Sequence, residues 1–298
     1  MAGEDSLISN VSDTARWVAA YRAVETTRPD ALFRDPLADR LAGERGHAMA
    51  VAAPRIMRNG WPVVTRTKLI DDLVATSIQQ GCDRVLNLAA GLDTRPYRMN
   101  LPEDFVWVEA DLPKMTAEKD IALAAEAPRC TLIRRAVDLA DADARAKFLD
   151  AALGPVGPQA MPATKALVLT EGLLVYLDEG TVADLARALT RPEIAWWLAD
   201  ITIGMKRTRG NTSMFENAPL RFEPTNGIAF FERLGWQPLE VEHLLVHARK
   251  LRRAPWFLVP FTYLRQPDPH APGRYPWSGV VRLRHSPENC GMRTRHPT

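Results

Sequence analysis

The chain has 298 residues, 46% of them hydrophobic and 25% charged, the proportions of an ordinary globular protein that can bury about three-quarters of its extended surface. Three cysteines, Cys82, Cys130 and Cys290, are too scattered for a metal site, and their odd number argues against a disulfide framework, which suits a reducing cytoplasm. The net charge of +2 conceals an asymmetry, since from Arg249 onward ten Lys or Arg face two acids and the rest of the chain carries −6; those arginines are dispersed among prolines and apolar residues, a solvated surface rather than a nucleic-acid footprint.

Residues 1–6 include Glu4 and Asp5, so no signal peptide is expected. The longest apolar run, residues 166–177, is broken by Glu171 and too short to cross a bilayer. The first eighty residues read as a helical cap. Ser12-Asp13 can cap a helix through Ala15, Trp17, Val18, Tyr21 and Val24, an apolar spacing of three and four that Arg28-Pro29-Asp30 ends. Asp35 with Pro36 behind it reads as the start of a second helix ending near Gly43 to Gly46. A third is expected over residues 64–80, burying Leu69, Ile70, Leu73, Val74 and Ile78.

From there strands alternate with helices. Strands are expected near 84–88, 105–110, 131–137, 165–170, 195–202, 236–241 and 279–284, and helices near 114–126, 141–152, 179–190, 227–234 and 243–253. Such alternation gives an α/β fold, a doubly wound, mostly parallel seven-stranded sheet, in one domain spanning 1–298 with residues 81–298 as its core. Ligands of such sheets bind at the carboxyl ends of the strands. The stretch 154–162 is a loop, and the polar, basic segment 204–226 is an insertion where these folds often carry a substrate loop.

One stretch organises the rest. Val85-Leu86-Asn87-Leu88 is a strand buried on both faces, and it breaks into Ala89-Ala90-Gly91, where small residues permit a sharp turn and close approach of a ligand. Twenty residues after Gly91, at the tip of the next strand, stands Asp111, where dinucleotide-type folds hold ribose hydroxyls, because a carboxylate accepts two hydrogen bonds from a vicinal diol. A pyrophosphate wants several glycines and a helix N-terminus. Here Gly91 is the lone glycine and Asp93 would repel phosphate, so a nicotinamide oxidoreductase is disfavoured and S-adenosylmethionine, a sulfonium cation without phosphate, fits better.

The run NLAAGLDTRPYR (87–98), followed by EADLPKM (109–115) and LTEGLLVYL (169–177), resembles the leucine carboxyl methyltransferase family, in particular its bacterial branch related to polyketide carboxyl O-methyltransferases. The resemblance extends from residue 11 to about 283 and implies a Rossmann-like class I methyltransferase fold with S-adenosylmethionine as cofactor. It implies cofactor contacts at Ala89, Gly91, Asp111 and Leu112, and places Arg66 on the methionyl carboxylate, which a planar guanidinium binds through two parallel hydrogen bonds. Arg16 is a second basic candidate. Asp138 and Leu139, at the end of the third strand, fit an adenine edge, although Asp138 could instead cap a helix. Glu171 interrupts an apolar strand end and needs a partner, either the cofactor's cationic end or an arginine such as Arg66 or Arg95. Tyr97 and Tyr176 are candidate walls of the methyl-transfer cavity, while Arg95 and Arg98 can equally be structural, pairing with Asp93 or other strand-end acids. Many family members have Gly-Ala-Gly at the turn; Ala89 here costs on the order of 1 kcal/mol if a positive φ is required.

The implied reaction is methyl transfer to an oxygen. A carboxylate acceptor is already ionised at pH 7 and needs only positioning, whereas a phenol or alcohol would need a base, for which Tyr176 or a histidine could be recruited. The six histidines all fall outside the strand-end motifs. With no feature that would grip a large partner, a small carboxylic acid is the expected substrate. A non-catalytic cofactor-binding protein is the reading from another class.

Overall fold

The computed structural model describes residues 11–157, 161–204, 219–273 and 275–285. Three helices come first: α1 (Val11–Thr26), α2 (Ala38–Ala52) and α3 (Trp61–Gln79). Ser12 and Asp13 lie within the first turn of α1 rather than ahead of it. Its buried face carries Trp17, Ala20 and Tyr21, while Val24 is turned to solvent.

The second helix departs from expectation at both ends. Asp35 caps nothing: its carboxylate is buried and accepts from Arg22 Nε at 2.9 Å and Thr94 Oγ1 at 2.6 Å. Nor do the glycines end α2. Gly43 takes a left-handed φ of 56° and kinks the helix, which then continues, because the missing side chain of Gly46 lets α2 press against α1; a Cβ there would lie 2.5 Å from the Arg16 carbonyl oxygen. Packing outweighs the low helix propensity of glycine. α3 begins three residues before the expected 64, at Trp61, with Pro62 in its first turn and Gly60 ahead of it at φ 67°.

The sheet has seven strands: β1 (Arg84–Leu88), β2 (Val106–Asp111), β3 (Thr131–Ala136), β4 (Ala166–Thr170), β5 (Ile194–Ile203), β6 (Trp236–His243) and β7 (Trp277–His285). Their order is β3-β2-β1-β4-β5-β7-β6. The first five run parallel, and β7 inserts antiparallel between β5 and β6. β1 and β4 are buried along their whole length, as continuous apolar runs in a parallel sheet must be. Helices α4 (Arg95–Arg98), α5 (Pro113–Ala122), α6 (Ala142–Leu153), α7 (Glu179–Ala188), α8 (Ala229–Glu232) and α9 (Leu244–Lys250) fill the connections. α8 is far shorter than the expected 227–234, and α4 was not anticipated. Residues 205–218 of the expected insertion lie outside the described residues.

Two apolar cores lie on opposite faces of the sheet. Leu86, Val108, Val168 and Trp197 pack with Phe148, Leu185 and Trp236 on one face. Val85, Trp107, Leu167 and Leu198 pack with Ile70 and Val74 of α3 on the other. The N-terminal helices are tied to the far end of the chain by Arg253, which donates to both carboxylate oxygens of buried Glu25 and reaches Asp30. Among the described residues no helix is long and apolar enough to cross a membrane.

Candidate functional site

A cavity of about 1430 Å³ opens at the carboxyl ends of the parallel strands. The turn after β1 forms its floor. Ala89 adopts a φ of 55° and Gly91 one of 49°, so the positive angle that glycine tolerates freely is imposed here on an alanine, at a cost of about 1 kcal/mol. The turn is pinned to β2: Ala90 N–H donates to the Ala110 carbonyl, and Gly91 N–H donates to Asp111 Oδ2 at 2.6 Å. The other oxygen of Asp111 accepts from its neighbour, Leu112 N–H, at 2.7 Å. Burial pushes the Asp111 carboxyl up from its ordinary value, and the two amides offset part of that.

Asp138 and Leu139 stand along the same rim. Asp138 is exposed and accepts from Ala140 N–H at 2.9 Å. The cap of α6 is Asp141, which accepts from Asp143 and Ala144 N–H, so Asp138 is not the helix cap. The Leu139 carbonyl accepts from Arg145 Nη1 at 2.7 Å.

At the β4 end, Glu171 has the arginine partners that the alternative reading allowed. Arg66 Nε donates to its Oε1 at 3.0 Å and Arg95 Nη1 to its Oε2 at 2.8 Å. Arg66 also donates to Asp200 Oδ2 at 2.8 Å, and Asp200 Oδ1 accepts from Gly172 N–H at 2.6 Å. Behind them Arg95, fully buried, bonds Asp71 and Asp93, while Arg98 grips Asp71 with two nitrogens. Arg95 and Arg98 thus pair with Asp93 and other acids of the strand ends and α3, the pairing that the alternative reading allowed. Burial by itself would raise Asp71, Asp93 and Glu171, but the guanidiniums outweigh it and hold all three below the ordinary carboxylate range. Four carboxylates (Asp71, Asp93, Glu171, Asp200) thus meet three guanidiniums (Arg66, Arg95, Arg98), which leaves one negative charge beside the cavity for a cationic ligand to balance.

The two tyrosines part company. Tyr176, on the short 3-10 turn Leu174–Tyr176, lines the cavity; its hydroxyl donates to Thr14 Oγ1 at 3.4 Å, and burial raises it above the usual phenol value. Tyr97 is not among the lining residues. It points from α4 toward α5, where its hydroxyl accepts from Arg134 and its ring lies beneath that guanidinium, which corrects the expectation that it faces the cavity. Arg16 is likewise engaged elsewhere, with Glu118.

Asp200, His243, Trp277 and Arg221 line the cavity without having been singled out. Asp200 had a signal, since it interrupts the apolar strand WWLADITI as Glu171 interrupts the end of β4. His243 falls outside the strand-end motifs in sequence but is brought to the cavity by the fold: it ends β6, and its Nδ1 accepts from Trp277 Nε1 at 2.9 Å. Arg221 is exposed, and its guanidinium has no hydrogen bond or ion pair among the described residues.

Comparison with known proteins follows the same lines. The pattern of the leucine carboxyl methyltransferase family matches residues 15–190. A protein of Frankia alni, provisionally named an S-adenosyl-L-methionine-dependent methyltransferase, is 31% identical over 246 residues, 77% of this chain and 83% of the relative. One from Streptomyces avermitilis with the same provisional name is 34% identical over 208 residues, 66% of this chain and 71% of the relative. The crystal structure of a duf574 family protein, also from Streptomyces avermitilis, superposes with a TM-score of 0.53 at 18% identity, covering 89% of this chain and 96% of that one, a likeness of fold.

Proposed function

Since this chain belongs to the leucine carboxyl methyltransferase family, we propose that it methylates a carboxylate oxygen of a small molecule, giving the methyl ester. The chain is an S-adenosylmethionine-dependent methyltransferase of Rossmann-like fold. The residues around the cavity fit that cofactor. Asp111 can accept from a ribose diol, Asp138 and the backbone at Leu139 flank a place for the adenine edge, and the turn Ala89 to Gly91 admits close approach of the ligand. Glu171 and Asp200, with their unbalanced charge, suit the methionyl ammonium and the sulfonium, and Arg66, which lines the cavity and pairs with both acids, is the guanidinium this reading assigns to the methionyl carboxylate. When bound, the cofactor supplies an electrophilic methyl on sulfur.

The observation that favours a carboxylate over a phenol or alcohol is the state of Tyr176. Among the described lining residues it is the one phenol; its hydroxyl donates to Thr14 Oγ1 at 3.4 Å, and burial raises it above the usual phenol value, so the wall offers a hydroxyl donor in place of the base that a phenol or alcohol acceptor would require. An acceptor that is already ionised asks only for alignment and exclusion of water. A cavity of about 1430 Å³ exceeds what one drug-sized ligand fills, roughly 300–1,000 Å³, and leaves room for cofactor and acceptor together. The apolar wall formed by Trp17, Ile56, Met57, Trp61 and Leu244 suits a hydrophobic acid.

The test is a screen of small carboxylic acids with methyl-labelled S-adenosylmethionine, followed by mild alkali. An ester releases its label as methanol; an ether keeps it, and a label that survives alkali overturns the carboxylate reading. Calorimetry with S-adenosylhomocysteine against NAD checks the cofactor class independently.

A further inference from the structure

We propose that His243 is a specificity-determining residue of this reaction: Trp277 locks its imidazole in the tautomer that carries the proton on Nε2, and that N–H is offered to the acceptor's carboxylate. The inference rests on the carboxylate reading above and names the group that reads it.

The lock follows from strand register. β6 and β7 pair antiparallel with His243 opposite Gly279, and Trp277, two residues before Gly279, projects from the same face. Its indole lies across the glycine. A Cβ at Gly279 would stand 2.6 Å and 2.8 Å from Trp277 ring carbons, so the absent side chain is the seat of the indole. From that seat Trp277 Nε1 approaches His243 Nδ1 at 2.9 Å and Nε2 at 3.5 Å, with the two rings nearly perpendicular.

An indole N–H can only donate. The nearer imidazole nitrogen, Nδ1, must therefore present its lone pair, and the neutral ring carries its proton on Nε2; the tautomer is assigned from this partner. Apart from the longer approach of the indole, Nε2 has no partner among the described residues. Burial first, and then the neighbouring His247, lower the affinity of the ring for a second proton, against a smaller pull from Glu242, so the neutral ring is the relevant one.

A histidine so held is the opposite of a general base. To accept a phenol's proton at Nε2 it would have to carry its own on Nδ1, facing the indole proton. What it can do is donate to an ionised oxygen. In the reaction a lone pair of the carboxylate forms the new C–O bond to the methyl carbon, the C–S bond breaks with its pair remaining on sulfur, and no proton moves. His243 stabilises the acceptor by orienting one oxygen while the other attacks.

Two measurements test this. In protein carrying 15N-histidine and saturated with S-adenosylhomocysteine, two-bond 1H–15N correlation at neutral pH should show His243 protonated on Nε2 with Nδ1 bare, and W277F should turn that into a mixture of tautomers. A proton on Nδ1 in the wild type overturns the proposal. In calorimetry under the same conditions, with benzoate as the probe, H243A should weaken binding about tenfold or more, the worth of a hydrogen bond to a charged group. H243Q, which keeps an amide donor near the same place, should recover to within about threefold. Benzoate that binds equally to all three proteins, or not at all to the wild type, counts against the proposal. An alkali-labile product with equal benzoate affinities sinks this inference alone; an alkali-stable product sinks the carboxylate reading and this inference with it.

Discussion

Gly91 donates its backbone N–H to Asp111 Oδ2 at 2.6 Å, so the turn after β1 and the tip of β2 hold one another in place across twenty residues of sequence. The acid that would receive the ribose is thereby oriented before any ligand arrives, and orientation in advance reduces what binding has to order.

Replacing Asp111 with alanine removes the diol acceptor and leaves the Gly91 amide without its partner. Hydrogen bonds to a charged group are worth about 1.5–3 kcal/mol, so the dissociation constant for S-adenosylhomocysteine should rise about 10- to 100-fold in calorimetry. Unchanged affinity would remove Asp111 from the cofactor site.

Arg95 is the hinge of the buried ion network, touching Asp71, Asp93 and Glu171. Arg95→Ala leaves these carboxylates short of charge, and breaking a buried pair on one side costs about 3–5 kcal/mol. Urea unfolding should show that loss in the midpoint. A change below about 1 kcal/mol would mean that water enters and solvates the acids.

The same network sets a pH dependence. Asp71, Asp93 and Glu171 have folded-state values below their unfolded ones. Their stabilisation is therefore complete above the unfolded range, about pH 4 to 5, and is lost as pH falls through the depressed folded values. Urea midpoints should hold roughly steady from about pH 7 to 5 and drop steeply below 4. A midpoint that rises on acidification contradicts the network.

Ala89→Gly relieves a left-handed backbone at a cost in unfolded-state entropy. The relief is the larger effect, and stability should rise by up to about 1 kcal/mol. A loss of stability would show that the alanine methyl packs usefully enough to offset its strain.

Tyr176→Phe distinguishes acceptor chemistries. With a carboxylate, turnover should fall by no more than a few-fold, since only a donor to Thr14 is lost. If the tyrosine were a base, the loss would be about 10²- to 10⁴-fold.

The sequence exposed those parts of the site whose chemistry is local. Apolar runs placed β1, β2 and β4, and acids interrupting such runs stood out, Glu171 and Asp111 among them. Asp200 carries the same signature and could have been found by the same rule. What was hidden depended on tertiary neighbours. Asp35 precedes a proline and looks like a cap, yet Arg22 and Thr94 claim its carboxylate. The glycines of α2 look like a stop, yet close approach to α1 is their use. Tyr97 shares a motif with the cavity's residues, but one turn of helix aims it toward Arg134 instead. His243 had no local signal at all, because only the antiparallel register of β6 on β7 brings it beside Trp277.

The clasp between Arg253 and Glu25 joins residues 228 positions apart. Arg28 also approaches Glu25, at 3.7 Å, but its side chain is exposed, so Arg253 is the buried cation of the pair. Without it a carboxylate would be sealed in the interior short of charge, at a cost of about 3–5 kcal/mol. Seating α1 and ordering the backbone around residue 253 are therefore one event rather than two, and neither end of this clasp can loosen alone.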